Sequence, residues 1–203
     1  DSLGPCLQKQ MLQELSNPLT FDYMLDSLSQ HVLIQMSPDK KIKFYSWDNL
    51  EGGTWHTMQV MAQYKSTNGK IILKSIVTSG DKEEDVDYTD CGIYKVHSFS
   101  IGSTTHYLTF GAGSYGSGMQ HSIVQIFKIE NDSLVKCKSC FENNMDLIVE
   151  YPRIDKLELQ FNSELNELTY KEVKFFEGGR FYGRTTDNTV TLKLENGIFK
   201  VKH

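Results

Sequence analysis

The chain returns again and again to one kind of corner. Short β-rich runs break at Ser37-Pro38-Asp39-Lys40, Thr67-Asn68-Gly69-Lys70, Ile101-Gly102-Ser103, Glu130-Asn131-Asp132-Ser133, Asn162-Ser163-Glu164-Leu165-Asn166 and Glu195-Asn196-Gly197. Asn, Asp and Gly tolerate the positive φ that tight turns demand, so each corner is a point where an extended segment doubles back on itself. Successive corners stand roughly 30 to 34 residues apart, a spacing within the range of repeat architectures. The pattern predicts an all-β protein whose antiparallel meander forms a sandwich or a small propeller-like sheet assembly. The usual propeller blade of about 40 to 45 residues is longer than this repeat.

A short helical segment precedes the strands. Leu7, Met11, Leu12 and Leu15 recur at helical spacing, and Asn17-Pro18 stops them. Thr20 is placed to cap a second helix carrying Phe21, Met24, Leu25 and Leu28 on one side. Residues 1–30 therefore read as a helical N-terminal segment and residues 31–203 as one antiparallel β domain. Within that domain Ile42, Phe44 and Ser46 alternate with Lys41, Lys43 and Tyr45, the period of a strand. Asn68-Gly69 between two β runs predicts a type I′ hairpin, in which both central residues have positive φ.

Composition narrows the classes of partner. With 39% hydrophobic and 23% charged residues, the 203-residue chain can bury a core. Its net charge of -5, with lysines scattered rather than striped, argues against nucleic acid. No apolar run approaches the roughly 18 to 20 residues that a membrane-spanning helix needs. The chain starts at Asp1 without an initiator Met, and we expect export, with a leader removed. Cys6, Cys91, Cys137 and Cys140 permit disulfides in three connectivities, and the sequence leaves the choice open. Cys137-Lys138-Ser139-Cys140 has redox spacing, but it follows the strand-like Ser133–Lys136 rather than opening a helix whose dipole would lower a thiol pKa. A zinc site would need a second pair of ligands, and Cys6 and Cys91 lack the spacing. Neither role is expected.

The stretch from Ser37 to Thr54, with Phe44-Tyr45-Ser46-Trp47-Asp48 and Gly52-Gly53-Thr54, resembles uncharacterised exported β-rich proteins of Gram-negative bacteria. The resemblance covers only that stretch and the later Gly-rich corner. It implies an extracytoplasmic location (periplasmic, cell-surface or secreted) and carries no mechanism. Asn131-Asp132-Ser133 has the letters of a glycosylation sequon, which would be silent in a bacterial protein, and a turn already explains it.

Candidate sites follow from side-chain chemistry. Gly111-Ala112-Gly113-Ser114-Tyr115-Gly116 spells a dinucleotide fingerprint, but a strand-like run follows it where the chemistry needs a helix N-terminus, so no nucleotide cofactor is expected. Such a loop can still line a cleft, and Tyr115 is taken as a binding residue. Trp47, Asp48, Trp55 and Tyr64 surround Gly52-Gly53 and suit a glycan or peptide platform, with rings stacking on apolar faces and polar neighbours supplying hydrogen bonds. Trp47 and Asp48 are placed near a sheet edge. The acidic run Asp81–Asp90 reads as a solvated hairpin loop, with calcium held by Asp85, Asp87 and Asp90 as the alternative. Nucleophilic signatures are missing, and Asp48 and Glu51 are the nearest carboxylate pair. We therefore expect a non-catalytic exported binding module, monomeric or weakly associated, for a glycan or peptide. The alternatives are a hydrolase using loop carboxylates and a structural accessory of the cell envelope, which would show a flat apolar patch.

Overall fold

The computed structural model describes residues 3–23, 25–49, 56–76, 91–115, 118–142, 144–176 and 183–202. Each corner proves to be the turn of a hairpin. They join β1 (Leu33–Met36) to β2 (Ile42–Asp48), β3 (Met58–Lys65) to β4 (Ile71–Ile76), and β5 (Gly92–Ile101) to β6 (Thr104–Tyr115). Three more join β7 (Met119–Glu130) to β8 (Ser133–Lys136), β10 (Gln160–Asn162) to β11 (Glu167–Phe175), and β12 (Gly183–Glu195) to β13 (Ile198–Val201). Asn131 and Asp132 (φ 47° and 62°) and Asn196 and Gly197 (φ 52° and 84°) supply two consecutive positive φ values, as a type I′ hairpin requires.

The Asn68-Gly69 corner is a different turn from the one the sequence predicts. Gly69 alone has positive φ (83°), while Gly69 N–H bonds to the Ser66 carbonyl and Ser66 N–H to that of Lys70. Asn68 stays out of the left-handed region because its Oδ1 accepts from Ser66 Oγ and Lys70 N, which fixes a longer loop closed by Gly69.

Among the described residues every pairing between strands is antiparallel, in three meandering sheets: β1-β2-β3-β4, β5-β6-β7-β8 and β10-β11-β12-β13, and one isolated parallel bridge joins Phe141 to Phe199. The long strand β7 shares one edge between two partners, β8 along Phe127–Glu130 and β9 (Leu147–Pro152) along Met119–Val124. None of the sheets closes into a barrel, and they stack as a sandwich. One core lies between the first and middle sheets, where Ile42, Phe44, Val60 and Tyr64 meet Ile93, Tyr107 and Phe127. A second lies between the middle and last sheets, where Leu108, Phe110, Val124 and Ile126 meet Leu168, Leu192 and Phe199. The pleat sends successive residues to opposite faces, so Tyr107 enters one core and Leu108 the other. The middle sheet is thus covered on both sides, and β7 is buried almost without interruption.

The outer face of the first sheet is covered by α1 (Leu3–Leu15). Met11 and Leu15 pack on Val32, Tyr45, Trp47 and Met61. Among the described residues the second helix expected from Thr20 is not formed. Its place holds two short 3-10 turns, Pro18–Phe21 and Leu28–Gln30. Asn17 rather than Thr20 caps the first of them, its side chain accepting from Leu19 N–H, and Leu25 at φ 56° breaks the helical path. The carbonyls of residues 20, 21 and 23 then converge on Lys43 Nζ, at 3.4, 3.2 and 2.5 Å. That lysine is buried in β2, and burial lowers its pKa against the opposing pull of Asp22. Cys137 and Cys140 form a disulfide, while Cys6, exposed, and Cys91, buried, remain thiols. No helix among the described residues is long and apolar enough to cross a membrane.

Candidate functional site

The aromatic platform is not assembled as expected. Trp47 is 2% exposed, on an inner strand of the first sheet rather than near an edge, and its ring fills the core beneath α1. Tyr64, also 2% exposed, lies in the core between the first and middle sheets and donates from its hydroxyl to the Asp132 carbonyl. Both are structural side chains because β2 and β3 are inner strands covered on both faces. Trp55, Asp85, Asp87 and Asp90 lie outside the described residues. Tyr115 closes β6 opposite Met119. Gly111, Ala112 and Gly113 belong to β6 itself, paired with β7 throughout. Gly111 is required by packing, since a Cβ there would stand 2.5 Å from Cys91 Sγ.

Two places gather chemistry, at opposite ends of β2. At its C-terminal end Asp48 meets His56, whose Nδ1–H donates to the carboxylate. His56 N–H reaches the Ser114 carbonyl (3.3 Å), and Asn49 N–H the Thr57 carbonyl (2.9 Å). Asp48 is therefore brought beside the Gly-rich end of β6. His56 is 42% exposed by side chain and Asp48 25%, so the imidazole is oriented by a carboxylate at a partly open site.

The other end of β2 opens into a cleft of about 510 Å³ between the first and middle sheets. Tyr107, Ile129, Lys41 and Lys65 are among the residues that line it. The Lys65 amine itself sits over the Phe21 ring, with Asp22 3.7 Å away. Ser and Thr residues line it from two hairpin ends, Ser66 and Thr67 on one and Ser103, Thr104 and Thr105 on the other. Asp132 holds the first turn in place, accepting from Thr67 N, Thr67 Oγ1 and Asn68 Nδ2. The Thr67 hydroxyl in particular holds the Asp132 carboxyl below its usual pKa. Tyr107 donates to Asp39 Oδ2 at 3.0 Å, and burial pushes its pKa up, the Asp39 charge adding to the effect.

Sequence reasoning missed this cleft because its residues come from four separate segments, each of which reads as an ordinary polar turn. The one usable signal was the concentration of Ser and Thr at Ser66-Thr67 and Ser103-Thr104-Thr105. Among the described residues no group of three or more His, Cys, Asp or Glu side chains is arranged to hold a metal ion. Comparison with protein-family models, with curated proteins and with solved structures finds no match for this chain.

Proposed function

We propose that this protein is a non-catalytic binding module, acting outside the cytoplasm, that takes a glycan or a peptide in the cleft between its first and middle sheets. One observation carries the reading. Ser103, Thr104, Thr105 and Lys41 line a concave site of about 510 Å³ together with Tyr107 and Ile129. Polar groups beside apolar side chains in a concave site are what a small polar ligand needs for orientation. Their support is rigid, because both turns are hairpin ends of packed sheets. The Cys137–Cys140 disulfide supports the extracytoplasmic location, since oxidising compartments preserve such bonds.

The test is a screen of glycans and peptides against wild type, Lys41→Ala and Thr105→Val. A ligand whose affinity falls about tenfold or more in both variants supports the site. A ligand bound equally by all three places binding elsewhere. The rival hydrolase reading rests on the Asp48–His56 pair, a carboxylate-oriented imidazole able to act as general base. Turnover of a hydrolysable ligand that His56→Ala abolishes would favour it.

A further inference from the structure

We propose that the Cys137–Cys140 pair is a site of reversible reduction whose state controls how the last strand is docked. The argument begins with the edge of the last sheet. β13 pairs with β12 on one side only, and an edge strand left open offers its amides and carbonyls to other chains. Here the other side is covered by the segment just after the disulfide. Phe199 N–H donates to the Cys140 carbonyl at 2.7 Å, and Glu142 N–H donates to the Phe199 carbonyl at 3.2 Å. Phe141 stacks on Phe199 with ring centroids 5.7 Å apart, and Cys140, Phe141 and Phe199 are all buried together.

The other end of the staple belongs to the middle sheet. Cys137 N–H bonds to the Ile126 carbonyl at 2.7 Å, extending the pairing of β8 with β7. Closing the disulfide over four residues therefore turns the chain from the middle sheet onto the edge of the last one. Cys137 is only partly buried whereas Cys140 is buried, so an attacking thiolate has access at Cys137.

The chemistry is thiol–disulfide exchange with a dithiol reductant. Its first thiolate attacks Cys137 Sγ, breaking the Cys137–Cys140 bond and releasing Cys140 as thiolate, which takes a proton. The reductant's second thiolate then displaces Cys137 from the mixed disulfide. Two electrons and two protons reach the cysteine pair, and the reductant leaves as its own disulfide. Opening a closed loop of four residues restores loop entropy worth about a twentyfold change in the undocking equilibrium.

The experiment treats the full chain with dithiothreitol and counts thiols by alkylation and mass spectrometry while following amide exchange. Expected are a rise from two thiols to four and exchange at Phe199 and Glu142 faster by about twentyfold, with β2 unchanged. A Cys137→Ser variant should show the fast exchange without reductant and no further response to it. Four thiols with unchanged exchange at those amides would overturn the proposal. So would a pair that dithiothreitol cannot reduce while the protein stays folded.

Discussion

His97 lies edge-on between the rings of Phe110 and Phe161, at 5.2 and 5.4 Å, and its buried Nε2 has no hydrogen-bond partner. Burial lowers its pKa, with Lys95 adding a smaller push in the same direction. Burial lowers that of His106 as well, against the hydrogen bond its Nδ1–H donates to the Thr104 carbonyl and with some help from Lys128. A histidine with depressed folded pKa protonates first in the unfolded chain. Stability therefore falls as pH drops below the unfolded value near 6.5, and levels off below the folded pKa. Thermal melts between about pH 7 and pH 5 should show a declining Tm, and His97→Leu should flatten that decline. An identical slope in the variant would locate the effect elsewhere. Close packing gives a second test at this scale. Gly111→Ala forces a Cβ to within 2.5 Å of Cys91 Sγ, and should cost about 1–3 kcal/mol in denaturant unfolding. In a Cys91→Ala background that cost should shrink, whereas strict additivity would mean the two residues do not meet. Trp47 shows where sequence reading stops at this scale. Alternation places a side chain on one face or the other, but only the partner layers decide whether a face is open, and α1 covers this one.

The hairpins were legible because each rests on local chemistry, a polar corner between two β runs. Within each sheet the corner spacing reflects two strands and two turns, since each of the three sheets contains two of these hairpins. What local chemistry does not encode is how hairpins are joined to each other. The pairing of β9 with β7 brings Leu147 to Val124 and Pro152 to Met119 across an intervening strand, and no nearby residue announces it. Asp132 is such a long-range link, tying the β7–β8 turn to the β3–β4 turn through its carboxylate. Its pKa is lowered, so the link is complete above the unfolded carboxylate pKa of about 4 and is lost as pH falls through the folded value. Asp132→Ala should lower the Tm at neutral pH and remove part of the acid-induced loss seen in wild type. Because Thr67 lines the cleft, the same variant should weaken any ligand held there. A variant with unchanged Tm and an unchanged acid limb would show that the two turns hold their places independently.

For the molecule as a whole, the decisive arrangement is one sheet serving two cores. Tyr107 and Phe127 face the first sheet, while Leu108, Phe110 and Ile126 face the last. Removing a side chain from one face of the middle sheet weakens the layer on which both outer sheets rest. Leu108 is fully buried, and Leu108→Ala should cost about 2–5 kcal/mol, against a change within about 0.5 kcal/mol for Lys193→Ala on the exposed face of β12. The more telling readout is where the loss is felt. If each outer sheet opened alone, Leu108→Ala would speed amide exchange in β12 and leave β2 as it was. With a shared middle layer, β6 and β7 should hold the slowest amides, and the variant should raise exchange in β2 and β12 together, by similar factors. Exchange confined to β12 would mean that the two cores open separately, and that the middle sheet retains its contacts with the first after losing the last.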